Sequence, residues 1–171
     1  MAILTNTAKV DNAIRLYKDA QSMYFGLGRS LTPWKDDSSP DIPDPSQSSL
    51  DELIGMKKVT SVSLAVPVSS QQGSNTVSYA GNYYELVGIA DAYTRGATFV
   101  YIASTILQTD FTAQTYRSVG LFNGPTFATG VIGDTVSAEY ITNQGRLQVI
   151  DNISTKDRSG LDITQYVIIE A

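Results

Sequence analysis

Proline density constrains this chain more than any other feature. Four of its six prolines lie within thirteen consecutive residues: Pro33, Pro40, Pro43 and Pro45. Proline lacks an amide donor and restricts the residue before it to extended backbone. Residues 29–50 are therefore predicted to form an extended arm without helix or strand, which separates a short N-terminal segment from the rest of the chain.

The segment before the arm predicts one helix followed by a short strand. Four apolar residues recur at helical spacing: Val10, Ala13, Ile14 and Tyr17. This spacing predicts an amphipathic helix over residues 6–22, with Asn6 or Thr7 capping its first turn. Met23-Tyr24-Phe25 then begins a strand that is expected to end in a turn at Gly26-x-Gly28.

The residues after the arm predict an all-β body, residues 58–171. Runs rich in Val, Ile, Thr, Tyr and Phe alternate with Gly, Asn, Asp or Pro, which is the pattern of strands and turns. The predicted strands are 59–66, 84–89, 99–107, 115–122, 135–142, 146–150 and 163–169.

Three connections in this part of the chain carry their own predictions. Ser49-x-x-Glu52 resembles a capping box and predicts a short helix through about Met56. Asn143-Gln144-Gly145 predicts a tight hairpin. The turn-rich residues 151–162 predict a second hairpin connection.

Together these elements predict a single, mainly β domain over residues 1–171. Its expected architecture is a β-sandwich or flattened barrel with an N-terminal α-helix and the long Pro-rich arm. A length of 171 residues suits one domain with a sizeable core. The start of the chain lacks the pattern of a signal peptide, and no apolar run approaches the roughly 20 residues of a membrane span. We therefore expect a soluble protein.

Composition argues against catalysis. The chain has no histidine and no cysteine, which removes the commonest general base and all thiolate chemistry. Gly26-x-Gly28 lacks the third glycine of a dinucleotide fingerprint, and no Gly-x-Ser-x-Gly elbow occurs. We predict no enzyme, no catalytic residue, no cofactor and no metal site. An enzyme would need a carboxylate pair, for which Asp110 and Glu139 are the candidates.

Charge narrows the class of partner. The net charge of −5 argues against nucleic acid, and neither a membrane nor a small-molecule substrate is expected. From Lys35 to Glu52 there are six acidic residues and one basic residue, so the arm carries the excess negative charge. Its carboxylates do not have the spacing of a calcium loop, which favours a solvated arm that faces a partner protein.

The arm supplies the candidate interface residues, which are Arg29, Pro33, Trp34, Asp36, Asp37, Pro40, Pro43 and Pro45. Trp34, the only tryptophan, either covers the mouth of the core or forms part of an interface, where tryptophan is enriched. Arg29 either bonds loop carbonyls or bridges to a partner carboxylate. Main-chain groups of the arm are expected to be free to pair with a sheet edge of a neighbouring subunit.

The order of these motifs resembles a known family. Residues 24–34 (YFGLGRSLTPW), the acidic Pro-rich loop and residues 51–60 (DELIGMKKVT) are together similar to baseplate wedge subunits of contractile-tailed bacteriophages. Residues 115–122 (TYRSVGLF) are similar to a strand of phage baseplate and fibre-attachment proteins. The main resemblance covers about residues 20–66.

The resemblance implies a structural virion protein of the tail or baseplate region, made in the host cytoplasm. Its implied partners are other phage structural proteins and copies of itself in a homo-oligomer. Neck, collar, tail-adaptor and capsid-decoration positions stay open as alternatives. A host-surface carbohydrate-binding module is a further alternative from another class, because ten tyrosines lie on a β scaffold. Its candidate residues are Tyr79, Tyr83, Tyr84 and Tyr93.

Overall fold

The computed structural model describes residues 3–29, 34–71 and 73–171, so Pro33 lies outside the described residues. Helix α1 spans Asn6–Ala20 and strand β1 spans Tyr24–Gly28. The other strands follow in chain order: β2 Leu53–Lys58, β3 Ser61–Val68, β4 Thr76–Tyr79, β5 Asn82–Val87, β6 Phe99–Ile106, β7 Thr115–Asn123, β8 Thr126–Phe127, β9 Thr135–Ser137, β10 Ile141–Asn143, β11 Arg146–Asp157 and β12 Ile163–Glu170. A short helix, α2 (Ala92–Arg95), lies between β5 and β6. Within the described ranges, no helix is long and apolar enough to cross a membrane.

The predicted mainly β fold with an N-terminal helix is confirmed. Helix α1 begins at Asn6 as expected and buries Val10 and Ala13 on its predicted apolar face. Its cap lies one residue earlier than predicted, because the Thr5 hydroxyl accepts a hydrogen bond from the Ala8 amide at 3.2 Å. This bond satisfies one of the free amides of the first turn.

The chain forms two compact units. One comprises Met1–Gln21, Thr60–Ala103 and Tyr166–Ala171, and the other comprises Ser22–Val59 and Ser104–Gln165. Strands β6 and β12 contribute residues to both units. The finer expectation of one domain built as a sandwich or flattened barrel stays a prediction.

In the first unit, α1 contacts β3, a strand of the sheet ordered β12-β6-β3-β5-β4. Ala65, Tyr84 and Ile168 form one buried apolar cluster of this unit. The hydroxyl of Tyr166 on edge strand β12 donates to the carbonyl of Ser78 on the opposite edge strand, β4, at 2.7 Å. The sheet is therefore curled, because one side chain spans from one edge to the other.

The second unit contains the sheet ordered β11-β7-β1-β2-β9, with β1 at its centre. Gly26 of β1 lies opposite Gly120 of β7, and the Phe122 ring packs over both. A Cβ atom would lie 2.9 Å from Phe122 Cε2 at Gly26 and 2.7 Å from it at Gly120. The turn predicted at Gly26-x-Gly28 is therefore wrong, since Gly26 and Gly28 both belong to the central strand. At each of them, a Cβ atom would lie too close to a ring or to backbone.

The helix predicted from the capping-box pattern is also wrong. Residues 53–58 form β2, which pairs with β1 on one side and β9 on the other. Met56 is fully buried with Leu50 and Phe122, and Leu53 packs against the same cluster. Pairing on both sides together with this burial outweighs the local preference of Ser49-x-x-Glu52 for a helix.

The two predicted hairpins do not form. Strand β10 pairs with β8, and β11 pairs with β7, so Asn143-Gln144-Gly145 turns the chain from one sheet into another. The second predicted connection, residues 151–162, is mostly strand, because β11 continues along β7 to Asp157. The single strand predicted over 135–142 is split into β9 and β10 by one turn of 3₁₀ helix, Ala138–Tyr140.

A buried arginine, Arg158, lies directly after β11 and bonds the loop before β7. Arg158 is 0% exposed, and its guanidinium donates to the carbonyls of Leu107 at 2.9 Å, Phe111 at 2.6 Å and Ala113 at 3.1 Å. It also lies over the Phe111 ring, 5.6 Å from the ring centre. The loop before β7 is thus fixed by bonds to one cation.

We predict that Gly120→Ala lowers the free energy of unfolding by about 1–3 kcal/mol, because the added methyl group overpacks the site beneath Phe122. Urea denaturation followed by circular dichroism measures the loss. Gly88→Ala is the matched control, since no atom lies within 4 Å of a Cβ built there. Equal stability of the two variants would contradict the close packing described for the central strands.

Arg158→Met should lower the free energy of unfolding by at least about 3 kcal/mol, because three loop carbonyls lose their donor. The same change at exposed Arg146 should leave stability within about 0.5 kcal/mol. Thermal denaturation of both variants tests this. A small effect at Arg158 would show that water or other donors replace the guanidinium.

Candidate functional site

The acidic Pro-rich segment is the candidate site. Residues 34–52, which we call the strap, contain neither helix nor strand, as the prolines predicted for residues up to 48. Two carboxylates shape turns within it. Asp36 accepts from the amide of Ser38 at 2.9 Å and from its hydroxyl at 2.7 Å, and Asp44 accepts from Ser46 at 2.8 and 2.7 Å. Such Asx turns order a segment that has no sheet partner of its own.

The strap lies along strand β11. The indole N–H of Trp34 donates to the carbonyl of Ile153 at 2.7 Å. The Asp37 carboxylate accepts from Thr155 twice, from its amide at 2.9 Å and its hydroxyl at 2.6 Å. The described residues are therefore bonded to the body of the protein rather than extended away from it as an arm.

Two further contacts fix the middle and the end of the strap. The Asn152 side-chain amide donates to the carbonyl of Asp41 at 2.9 Å. At the end, the Gln144 side chain accepts from the amide of Leu50 at 2.9 Å and donates to its carbonyl at 3.1 Å. The turn before β11, which was predicted as a hairpin, thus presents a side chain that bonds the strap.

These contacts cover an exposed edge of the sheet. Among the residues that the structure describes, β11 pairs with β7 alone, and their register is interrupted between Asn152 and Lys156. Within this interruption, the Ile153 carbonyl and the Thr155 amide both bond side chains of the strap. The strap supplies a donor to Ile153 and an acceptor to Thr155, which are the groups that a neighbouring strand would supply.

A small polar pocket of about 110 Å³ is bounded by the strap and the sheet, and its lining residues are Trp34, Gln47, Asp51, Ser118 and Asn152. The described ranges contain no grouping of three or more acidic side chains placed to bind a metal ion.

The candidate interface residues occupy different environments. Trp34 is half-buried with its N–H bonded within the chain, Pro40 and Pro43 are half-buried, and Arg29 and Pro45 are exposed. The amide of Arg29 donates to the carbonyl of Glu52 at 3.3 Å. Pro33 lies outside the described residues, whereas Asp36 and Asp37 are exposed.

The sequence analysis missed Ile42, which is 93% exposed on the strap. The signal in the sequence was an isoleucine between an aspartate and a proline, within an acidic run. Such a residue has no apolar neighbours in the sequence with which it could form part of a core, which favours an exposed position.

Hydrogen bonding sets the electrostatics of the strap. The hydroxyl and amide of Thr155 lower the pKa of the Asp37 carboxyl. Ser38 lowers the pKa of Asp36 and Ser46 lowers that of Asp44 in the same way. Because bonding to the charged form favours that form, these three carboxylates are ionised at neutral pH and keep the strap acidic.

The two residues of the enzymatic alternative are Asp110 and Glu139. Asp110 accepts from the Lys57 ammonium at 3.1 Å, from the Leu107 amide at 2.7 Å and from the Thr135 hydroxyl at 3.2 Å. Glu139 lines a pocket of about 230 Å³ together with Phe111 and Thr112. The Asp110 carboxylate therefore has a structural use, which is to bond β2, β9 and the loop after β6.

The tyrosines of the carbohydrate-binding alternative do not form one exposed cluster. Tyr84 is buried, with its ring 5.2 Å from that of Phe99. Tyr93 is exposed on α2, and its hydroxyl donates to Asp11 of α1. The set therefore lacks the shared exposed surface that stacking on a sugar would need.

Comparison with known proteins gives two matches. A family model described as "Baseplate wedge 3 tail fiber network component" matches residues 1–169. The chain is 30% identical over 161 residues to "Virion protein 3" of Enterococcus phage phiEF24C. This alignment covers 93% of this chain and 88% of that protein.

The bonds of the strap to β11 should be lost on acidification. The folded-state pKa of Asp37 is below its unfolded value. The stability that its bonds to Thr155 contribute is therefore complete above about pH 4 and is lost as pH falls through the folded-state pKa. Because Trp34 is the only tryptophan, its fluorescence reports detachment. We expect an emission shift below about pH 4, which Asp37→Asn largely removes. An unchanged acid transition in that variant would contradict the assignment.

Proposed function

The chain belongs to the family of baseplate wedge 3 tail fiber network components, and we propose that it joins neighbouring subunits of a phage baseplate through the outer face of the strap. The family is a structural component of the virion, which supports a role in assembly rather than catalysis. Its description also supports a station in the tail and contacts with other phage structural proteins. Synthesis in the host cytoplasm and the absence of cofactors are parts of the same proposal.

One observation carries the proposal: the strap is bonded to β11 on one side and exposes 93% of Ile42 on the other. An apolar side chain that is almost fully exposed on an ordered segment is suited to bury itself in a partner. Because the strap is already ordered, less conformational entropy is lost when a partner binds than would be lost by a flexible linker.

Charge indicates the chemistry of the partner surface. Residues 35–52 contain six carboxylates and a single lysine, and those of Asp36 and Asp44 have lowered pKa values. A partner with Lys or Arg around an apolar pocket would complement this face. Opposite charges speed encounter and select the partner, and salt weakens the effect.

Ile42→Asp should abolish incorporation of the protein into virions, because a carboxylate at a buried apolar contact would be desolvated without a partner. The test supplies the variant to a phage that lacks the wild-type gene and measures the protein in purified particles by mass spectrometry. Ile132→Asp is the matched control, since Ile132 is 96% exposed and lies outside the strap. Normal incorporation of a folded Ile42→Asp protein would overturn the strap as the contact surface.

Immunogold electron microscopy with an antibody against this chain tests the station independently. We expect gold at the baseplate end of the tail. Label at the neck or over the head would refute the proposed station, whatever the result for Ile42.

A further inference from the structure

The small polar pocket between the strap and the sheet lies on a row of residues from three neighbouring strands. Asn152 of β11 lies opposite Ser118 of β7, and Ser118 lies opposite Gly28 of β1. Residues that lie directly opposite each other project from the same face of a sheet. A Cβ atom at Gly28 would lie 2.6 Å from the Ser118 hydroxyl oxygen and 2.9 Å from the Asp51 carbonyl oxygen. The register of the sheet therefore allows the strap to approach Ser118 closely and to enclose a pocket of about 110 Å³ there.

The pocket contains a buried hydroxyl that the chain leaves without a partner. Ser118 is 4% exposed and lines the pocket. Within the described part of the chain, its hydroxyl makes no hydrogen bond. Because buried polar groups of native proteins are nearly always bonded, this hydroxyl needs a partner from outside the chain.

The other polar side chains of the pocket offer oxygen atoms. The amide nitrogen of Gln47 donates to the Ser49 carbonyl at 2.8 Å, and that of Asn152 donates to the Asp41 carbonyl at 2.9 Å. Both nitrogen atoms are thus occupied, whereas neither amide oxygen is bonded to a described residue. Asp51 lines the same pocket, and its carboxylate also has no partner among the described residues. The pocket therefore combines one negative charge with neutral acceptors.

This set of groups suits a singly charged organic cation better than a metal ion. Calcium and magnesium prefer sites rich in carboxylates, but Asp51 supplies the single carboxylate among the lining residues. The fifth lining residue is Trp34, and an indole attracts a cation that lies over its face. A primary ammonium has three donors and no acceptor, so it matches a pocket of oxygen atoms beside an aromatic ring.

We propose that this pocket binds the ammonium group of a lysine side chain. The lysine belongs to the structural protein that contacts the strap, a step that rests on the proposed function. Asp51 balances the charge, the Ser118 hydroxyl accepts one N–H, and the Trp34 indole covers the methylene stem. Because Asp51 is exposed, the side chain can enter from solvent. Lysine fits better than arginine, since its ammonium is a compact charge on a slender stem, whereas a guanidinium is a wide planar fork.

The first test uses n-butylammonium chloride as a probe with the shape of a lysine side chain. Trp34 is the only tryptophan, so its fluorescence reports binding when the full-length chain is titrated at constant ionic strength. We expect a saturable change with a dissociation constant of about 1 mM. The neutral control is n-butanol, which has the same length and should cause no saturable change.

Variants show whether the pocket is the binding site. Asp51→Asn should weaken n-butylammonium binding about tenfold or more, because the bond to a charged acceptor is lost, and Ser118→Ala should weaken it about fivefold. Glu52→Gln is the matched control, since Glu52 is the exposed neighbour of Asp51 and does not line the pocket. It removes the same charge and should change affinity less than about twofold. Circular dichroism confirms the fold, and the NMR signal of the Trp34 indole N–H follows binding independently of fluorescence.

Cross-linking in purified virions tests the source of the ammonium. A carbodiimide joins a carboxylate to an amine in contact with it by an amide bond without a spacer, and mass spectrometry identifies both residues. We expect Asp51 to be joined to a lysine of another structural protein. Cross-links from Asp41 or Asp44 without any from Asp51 would overturn the assignment of the pocket to a partner lysine.

Three results of the titration would overturn the binding site itself. They are the absence of a saturable change, an equal response to n-butanol, and equal affinities in Asp51→Asn and Glu52→Gln. Calcium chloride that binds more tightly than n-butylammonium would assign the pocket to a metal ion instead. The titration needs no partner protein, so its failure is distinct from that of the proposed function. A chain that binds n-butylammonium but assembles normally as Ile42→Asp would refute the docking of the strap and keep the pocket.

Discussion

The outward-facing main-chain groups of β11 are the constraint on which the arrangement of the strap depends. An edge strand has donors and acceptors that must bond to protein, water or another chain. Here the Trp34 indole and the Asp37 carboxylate bond to two of them, at Ile153 and Thr155. The strap has no strand of its own, so its course beside the sheet is set by where these side chains find their partners.

This arrangement gives the two sides of the strap different roles. Its inner side bonds β11 and the Gln144 side chain, and its outer side carries exposed carboxylates and Ile42. A virion component is assembled beside other structural proteins, where an open edge strand would favour unspecific pairing. In the proposed function, the covered edge and the ordered outer face restrict contact to partners that recognise that face.

The helix, most of the strands and the irregular strap could be predicted because each depends on local chemistry: apolar spacing in α1, β-branched runs in the strands and prolines in the strap. The errors fell where tertiary contacts outweighed local preference. A capping-box pattern became β2 because β1 and β9 flank it. Gly26 was expected in a turn, but it lies in the central strand, where the Phe122 ring leaves no space for a Cβ atom.

The sequence by itself determined that residues 34–48 would lack regular structure, carry negative charge and contain the only tryptophan, because proline geometry, composition and charge are properties of the chain. It also carried the motifs that resemble baseplate proteins. Only the tertiary structure decided that Trp34 and Asp37 bond an edge strand more than 110 residues away, because which strand is left at the edge depends on the pairing order of the whole sheet. That order results from long-range contacts, and no local segment of the sequence specifies it.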